Sequence, residues 1–259
     1  MKKILLTIMA FSIIAIANAQ SPEERGLEIA KAAEQADIGF LSSIVNLKMV
    51  LKNKNGQTSE RNLTTKTLEL NEDGDKSLIV FDSPKDVKGT ATLTFTHKIG
   101  ADDQWLFLPS IQRVKRISSN NKSGPFVGSE FAYEDLSSQE VEKYTYKYLG
   151  DEEFAGLDCY MVERDPVDPK SGYKRQIVWF DKEHYRVQKI DFYDRKDSKM
   201  KTLTYVGYKK YLDKYWRSDK MMMVNHQTGK STDLVWKEYK FGNGFVDRDF
   251  NESTLKRTR

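Results

Sequence analysis

The side chains that most often carry catalysis are few in this sequence, and their spacing builds no familiar active site. The three histidines, His97, His184 and His226, are not spaced as the ligands of one metal ion. Cys159 is the only cysteine, and it lies at a predicted strand start where a buried structural thiol is expected. Neither a Gly-x-Ser-x-Gly elbow nor a phosphate-binding loop occurs. We therefore predict no catalytic residue, no metal and no cofactor, and a protein that is not an enzyme.

Two further short motifs could bind ligands, but each also fits an ordinary structural role. Asp73-Gly74-Asp75 lacks the glycine and glutamate that a calcium loop needs at its sixth and twelfth positions, so it predicts a hairpin turn. The run Met221–Met223 is apolar and flexible, and it could line a pocket or pack in a core. Alternation along a strand places Met222 on the opposite face from its two neighbours.

The elements that would position any site are one helix followed by strands. Ser21 fits the N-cap of the helix, Pro22 fits its first position, and Glu24 completes the spacing of a capping box. From Ile44 to Phe241 the sequence alternates between strand patterns and turn signals, which predicts about 10–12 strands. The fold class is therefore mainly β, with antiparallel pairing, since no helix-strand alternation occurs.

Several predicted strands carry apolar residues on both faces, as in Leu78–Phe81, Trp105–Leu108 and Ile177–Phe180. A sheet with one solvated face would alternate between apolar and polar residues. Something therefore covers each side, or one side lines a cavity. The pattern favours an ordinary two-sheet sandwich and a cavity about equally.

A long segment, Pro109–Leu136, interrupts the rhythm of strands and turns. Loops of this length are usually functional or disordered. Its first half is polar, but its second half contains Pro125, Phe126, Phe131 and Tyr133, which are too apolar to remain in water. We expect this second half to fold over an apolar surface as a lid or an inner plug.

The N-terminus has the features of a cleavable signal peptide. Lys2 and Lys3 precede the apolar run Ile4–Ile16, and Ala17-Asn18-Ala19 fits the cleavage site. We expect a signal peptide at residues 1–19 and a single domain at residues 20–259. The net charge of +4 includes the two lysines of the signal, so the mature chain is too balanced in charge to suggest nucleic-acid binding.

Six short stretches resemble the outer-membrane lipoprotein-sorting protein family, in its LolA-like branch. They are Asp103–Pro109, Arg113–Ile117, Gly124–Phe131, Tyr133–Leu136, Gly156–Tyr160 and Trp179–Asp181. The resemblance implies an incomplete, curved antiparallel β-barrel in which helices and a long loop cover an apolar concave face. It further implies a periplasmic protein whose concave face receives acyl chains and which works in outer-membrane biogenesis.

The resulting hypothesis is a soluble periplasmic carrier or chaperone for lipoprotein acyl chains or lipids. The residues expected to line the cavity or its lid are Trp105, Phe107, Phe126, Phe131, Tyr133, Trp179 and Met222. The residues expected to contact lipid headgroups or a partner are Arg113, Lys115 and Arg116.

The expected partners are lipoprotein or lipid cargo, an inner-membrane transporter and an outer-membrane acceptor, and the protein is expected to be a monomer. Two other hypotheses stay open at this point. The chain could be an interaction or sensor module that acts with an inner-membrane transporter and carries no cargo. It could also be a lipid-modifying enzyme, although no catalytic motif supports that function.

Overall fold

The computed structural model describes residues 20–70 and 72–257, so the expected signal peptide at residues 1–19 lies outside the described residues. The described chain contains fourteen strands. Their bounds are β1 Ser42–Lys52, β2 Thr58–Leu68, β3 Lys76–Ser83, β4 Ala91–Phe95, β5 Asp103–Leu108, β6 Arg113–Ile117, β7 Tyr144–Phe154, β8 Leu157–Pro166, β9 Tyr173–Asp181, β10 Val187–Asp194, β11 Lys199–Tyr211, β12 Tyr215–Asn225, β13 Ser231–Trp236 and β14 Lys240–Phe241. The helices are α1 Pro22–Asp37 and α2 Glu252–Leu255, with short 3-10 turns between strands.

All fourteen strands belong to one antiparallel sheet in which two meanders meet. The order is β6-β5-β4-β3-β2-β1-β13-β12-β11-β10-β9-β8-β7, and β14 pairs with β1. The two halves join where β1 pairs with β13, for example Leu47 opposite Trp236. The end strands β6 and β7 are not neighbours in this order, so the curved sheet stays open. The predicted mainly β fold, an incomplete curved antiparallel barrel, is confirmed.

The strand count exceeds the prediction because two short strands were missed. Strand β6 lies inside the segment that was expected to be a loop, and its five residues are mostly charged. The last predicted strand, Ser231–Phe241, is divided into β13 and the two-residue β14. Short polar strands carry almost no hydrophobic periodicity, so the sequence pattern could not identify them.

Helix α1 begins where the sequence predicts. Ser21 Oγ accepts a hydrogen bond of 3.1 Å from the amide of Glu24, and Glu24 accepts one of 3.0 Å from the amide of Ser21. Pro22 occupies the first turn, and the helix ends at Asp37. Ile29 and Ala30 are buried against the sheet. Within the two described ranges, no helix is long and apolar enough to cross a membrane.

The apolar residues form two clusters, one on each face of the sheet. The main cluster lies on the face that α1 covers, which we call the inner face, and includes Phe81, Val178 and Leu234. The second cluster lies on the other face of β3–β5, which we call the outer face, beneath Phe250 and Leu255 of the C-terminal segment. In β3–β5 the two apolar faces are thus explained by cover on both sides of one sheet, and the described chain is not a two-sheet sandwich.

Helix α1 lies close to the sheet at Gly26, which is buried. A Cβ atom at this position would lie 2.8 Å from the backbone nitrogens of Lys147 and Tyr148 in β7. Backbone atoms cannot move aside as the end of a flexible side chain can. The glycine therefore allows the helix to cover the end strand of the open sheet.

We predict that Gly26→Ala destabilises the protein by about 1–3 kcal/mol, since the new methyl group overpacks the helix-sheet contact. Helix propensity alone predicts the opposite change in stability, because alanine is favoured over glycine by about 1 kcal/mol in a free helix. Urea unfolding checks this result, with the exposed Lys31→Ala as a control that changes stability by less than about 0.5 kcal/mol. A stabilised Gly26→Ala variant would contradict the close contact.

Candidate functional site

The second half of the long segment, Pro125–Leu136, packs on the inner face, and we call it the plug. Phe126 and Phe131 are 2% and 0% exposed and belong to the main cluster. The Phe126 ring stacks on Phe81 with centroids 5.7 Å apart and meets the edge of Tyr133 at 5.5 Å. The prediction that this half of the segment covers an apolar surface is confirmed.

A buried ion pair fixes the plug to the sheet. Lys201 Nζ on β11 donates to Asp135 Oδ2 at 2.8 Å, and the two side chains are 3% and 2% exposed. Lys201 also donates to the backbone carbonyl of Glu130 at 3.1 Å. Asp135 accepts further bonds from the amide of Ala132 at 2.7 Å and from Tyr173 Oη at 2.8 Å. These bonds offset the desolvation that makes most buried ion pairs costly.

Two other residues of the plug bond to separate parts of the sheet. The amide of Glu130 donates to Thr232 Oγ1 at 3.0 Å, and its carboxylate accepts from Asn225 Nδ2 at 2.7 Å. The carboxylate of Glu134 accepts from Ser171 Oγ at 2.8 Å and from the amide of Gly172 at 2.9 Å. The plug is therefore held at both ends and forms a fixed roof.

A cavity of about 320 Å³ lies between the plug, the end of α1 and the inner face of the sheet. Its apolar lining comes from Phe40, Val45, Leu47, Met49, Leu63, Ile79, Phe126, Leu136, Leu234, Trp236 and Tyr239. Its polar lining comes from Asp37, Ser43, Thr65, Thr67, Asp75, Ser77, Thr96, Ser137, Ser138 and Arg217. The volume is at the lower end of the range for small-molecule pockets.

The floor of the cavity changes from apolar to hydroxylated along the strands. Strand register places inner-face residues of neighbouring strands in three rows, which are Trp236, Leu47 and Leu63, then Val45, Thr65 and Ile79, then Ser43, Thr67 and Ser77. The first row is apolar, the second contains one hydroxyl, and the third contains only hydroxyl side chains. One end of the floor thus suits hydrocarbon, and the other suits groups that form hydrogen bonds.

Charged groups stand at the hydroxylated end. Arg217 on β12 pairs with Asp37 at the end of α1, and its guanidinium lies over the Phe40 ring at 5.3 Å from the centroid. Asp75 lies beyond the third row, and burial raises the pKa of its carboxyl to about 7, with a further contribution from the charge of Glu140. At this end of the cavity, a neutral polar group of a ligand is favoured over a negatively charged group, which would lie beside the carboxyl groups of Asp37 and Asp75.

Three of the predicted cavity or lid residues lie in the plug above the inner face. Phe126 lines the cavity. Phe131 is fully buried in the main cluster, and Tyr133 is partly buried against it. Phe126, Phe131 and Tyr133 thus lie together in the plug, the segment that covers the inner face.

The other four predicted lining residues face away from the cavity, and their placement is corrected. Trp105 and Phe107 pack in the second cluster on the outer face. Trp179 is also on the outer face, where Lys189 Nζ lies 3.8 Å from its ring centroid. Met222 pairs with Thr204 and is absent from the cavity lining, while Met223 is buried in the main cluster. In each of these strands, the residues predicted to face the cavity were wrong by one position, and a shift of one position moves a side chain to the opposite face of the sheet.

The residues that line the floor were missed as site residues, although a signal was present. Val45, Leu47 and Met49 alternate along β1, and this pattern marks the inner face of that strand. Thr65 and Thr67 continue the face on β2, but hydroxyl side chains are usually assigned to a solvated surface. Only the register between the strands shows that they share one cavity floor.

The basic residues of the predicted contact lie on the end strand β6. Arg113, Lys115 and Arg116 are all exposed. Arg116 pairs with Asp103 on β5. In the part of the chain that the structure describes, Arg113 and Lys115 form no ion pair. Their positive charge is therefore open to an external anionic group.

The other residues that could carry chemistry, which are the cysteine, His97 and a cluster of glutamates, each have a structural explanation. Cys159 is fully buried, and burial raises the pKa of its thiol to about 11, which makes it a poor nucleophile as expected. His97 bonds Asp73 at 2.7 Å and Asp103 at 3.3 Å in a loop after β4. Carboxylates of Glu34, Glu140 and Glu142 approach within 4.8 Å of one another, and we assign no metal to this group because such acidic clusters are common without one.

The comparisons with known proteins agree with this geometry. A family model described as "Uncharacterized protein" matches residues 73–257. An outer membrane lipoprotein-sorting protein domain from Vibrio parahaemolyticus is 55% identical, with a TM-score of 0.89, over 91% of this chain and 100% of that chain. A DUF1329 family protein from Desulfovibrio piger is 29% identical, with a TM-score of 0.85, over 91% and 99% of the two chains.

One further solved structure supports the fold alone. A LolA superfamily protein from Nitrosomonas europaea is 19% identical, with a TM-score of 0.72, over 88% of this chain and 98% of that chain. No curated protein matches the chain. The chain thus shares its overall fold with the lipoprotein-sorting domain and with the LolA superfamily protein.

We predict that Lys201→Met destabilises the protein by about 3–5 kcal/mol, because Asp135 would remain buried without its cation. Denaturant unfolding measures this loss. The matched control is Lys199→Met on the same strand, whose partly exposed pair with Asp191 at 2.8 Å is worth less than about 1 kcal/mol. Similar losses for the two variants would contradict the anchoring role of Lys201.

We also predict a pH-dependent effect of Asp75→Asn. The folded-state pKa of Asp75 is raised from 3.8 to about 7, so its ionisation lowers stability as pH rises through this interval, by at most about 1.4 kcal/mol per pH unit. Asparagine keeps the oxygen that accepts from the Leu70 amide at 3.3 Å and cannot ionise. The variant should therefore gain stability over the wild type between about pH 4 and about pH 7, and the gain should level off above that. Thermal unfolding across this range checks it, and a pH-independent difference would refute it.

Proposed function

Because the chain belongs to the outer-membrane lipoprotein-sorting protein family, in its LolA-like branch, we propose that it is a soluble periplasmic carrier or chaperone. It binds lipoprotein acyl chains or lipids on its inner face and moves them across the envelope. Export depends on the signal peptide at residues 1–19, and residues 20–259 act as a single lipoprotein- or lipid-binding domain. The family is a class of binding and carrier proteins, not of enzymes.

The observation that carries the proposal is the cavity beneath the plug. Leu47, Leu63 and Leu234 present an apolar surface there, and the plug residues Phe126 and Leu136 line the same cavity. Each CH₂ group transferred from water contributes about 0.8 kcal/mol, so even part of an acyl chain gains useful affinity from burial alone. Such binding needs no catalytic group, which agrees with a buried, poorly nucleophilic Cys159.

The basic end strand provides the second element of the proposal. Arg113 and Lys115 are exposed on one side of β6, and Arg116 is exposed on the other side, where it pairs with Asp103. Each basic residue near an anionic membrane surface contributes about 1 kcal/mol of attraction. We propose that this strand contacts anionic headgroups or an acidic surface of a partner when cargo is received or delivered.

Native mass spectrometry of the purified full chain, followed by lipid extraction, tests the carrier function. The expected result is a co-purifying species whose added mass matches an acyl lipid and which appears in the organic extract. A chain that is always empty, and that also fails to take acyl lipid from vesicles, would contradict a carrier. That outcome would favour the interaction or sensor module acting with an inner-membrane transporter.

We predict that Thr67→Trp lowers the affinity for a fluorescent acyl lipid at least about tenfold, since an indole in the third row fills space that the ligand needs. The matched control is Lys66→Trp, one residue away on the outer face, where Lys66 Nζ lies 5.7 Å from the Phe245 ring. The control should bind as the wild type does. Equal binding by both variants would place the lipid outside this cavity.

A further inference from the structure

Two polar atoms in the wall of the cavity have no hydrogen-bond partner among the described residues. They are Thr65 Oγ1 and Trp236 Nε1, and both atoms are buried. A buried polar atom without a partner costs about 1–3 kcal/mol, and such atoms are rare in folded proteins. One further atom of this kind is described, Trp179 Nε1, but it lies on the outer face away from the cavity. Because Thr65 and Trp236 both line the cavity, a ligand that shifts either side chain slightly can reach its donor and remove this cost.

Both atoms stand where the floor changes from apolar to polar. Trp236 is opposite Leu47 in the first row, and Thr65 is opposite Val45 in the second row. The third row, which contains only hydroxyl side chains, begins one step beyond Thr65. The Trp236 ring stacks with Tyr239 at a centroid distance of 5.9 Å, which holds the indole in place. A ligand whose chain covers the first row would bring its first polar atoms to this boundary.

The donor types restrict what that polar group can be. An indole N–H can only donate, and a threonine hydroxyl can donate or accept, so the ligand must offer acceptor oxygen. A plain hydrocarbon offers none. A carboxylate offers oxygen but needs a cation, and Arg217, the only cation among the lining residues that the structure describes, already pairs with Asp37. An uncharged carbonyl meets both conditions.

We propose that the cavity recognises the ester or amide carbonyl that links an acyl chain to an uncharged, hydroxyl-bearing head. Trp236 Nε1 and Thr65 Oγ1 donate to the oxygens of this linkage, the chain lies over Leu47 and Leu63, and the head lies over the third row. This inference rests on the proposed carrier function and deepens it, since it makes the linkage, and not the chain alone, the feature that is selected.

Isothermal titration calorimetry with two matched probes tests this inference. Monopalmitoylglycerol carries the ester carbonyl, and hexadecylglycerol ether has the same chain length and hydroxyls without it. We expect the wild type to bind the ester about five- to tenfold more tightly, since one or two net hydrogen bonds are gained. Trp236→Phe and Thr65→Val should each reduce the affinity for the ester more than the affinity for the ether.

Trp179→Phe is the matched control, because it removes an equally unpartnered indole N–H on the outer face. It should bind both probes as the wild type does, and circular dichroism confirms that each variant is folded. Equal affinity of the wild type for ester and ether would overturn the inference while leaving the carrier function standing, as would a Trp236→Phe change that weakens both probes alike. Failure of the wild type to bind either probe would overturn the carrier function itself and this inference with it.

Discussion

The buried pair between Lys201 and Asp135 is the contact on which the candidate site depends. It joins strand β11 to a segment 66 residues away in the sequence, and it lies in an apolar setting between the rings of Tyr173 and Phe192. Two charges in such a place are tolerated only because each forms further hydrogen bonds. The pair thereby fixes the plug, the plug holds Phe126 over Phe81, and the space left below becomes a cavity.

The open sheet makes such a roof necessary. A curved antiparallel sheet that does not close leaves its inner apolar face accessible to water, and no second sheet covers it in the described chain. Helix α1 covers the β7 end of this face, and the plug covers the middle. On the outer face the C-terminal segment with Phe250 covers β3–β5. Each cover is short, so the fold keeps internal volume that a two-sheet packing would fill.

Local patterns in the sequence predicted the elements well, because local physics determines them. The capping box of Ser21 and Glu24 set the start of α1. The resemblance to lipoprotein-sorting proteins supplied the curvature and the open barrel. The apolarity of Phe126 and Phe131 was sufficient to predict a covering segment.

What failed was the assignment of faces, since a strand with two apolar faces does not show which one is inside. Trp179 and Met222 were placed in the cavity, but both lie on the outer face, where Trp179 contacts Lys189 and Met222 lies between Thr204 and Asp233. Thr65 and Trp236 share one cavity floor because β1 pairs with both β2 and β13. Strands β2 and β13 are far apart in the sequence. Non-local register of this kind leaves no trace in a single strand.

The central claim is that cargo lies on the inner face beneath the plug, and photo-crosslinking tests it most directly. An acyl ester with a diazirine at the end of its chain is bound to the full chain, activated by light and located by peptide mass spectrometry. The account predicts labels on β1, β2, β13 and the plug, at residues such as Leu47, Leu63 and Phe126 that line the cavity. Labels confined to outer-face residues, such as Trp179, Met222 or Phe250, would contradict it.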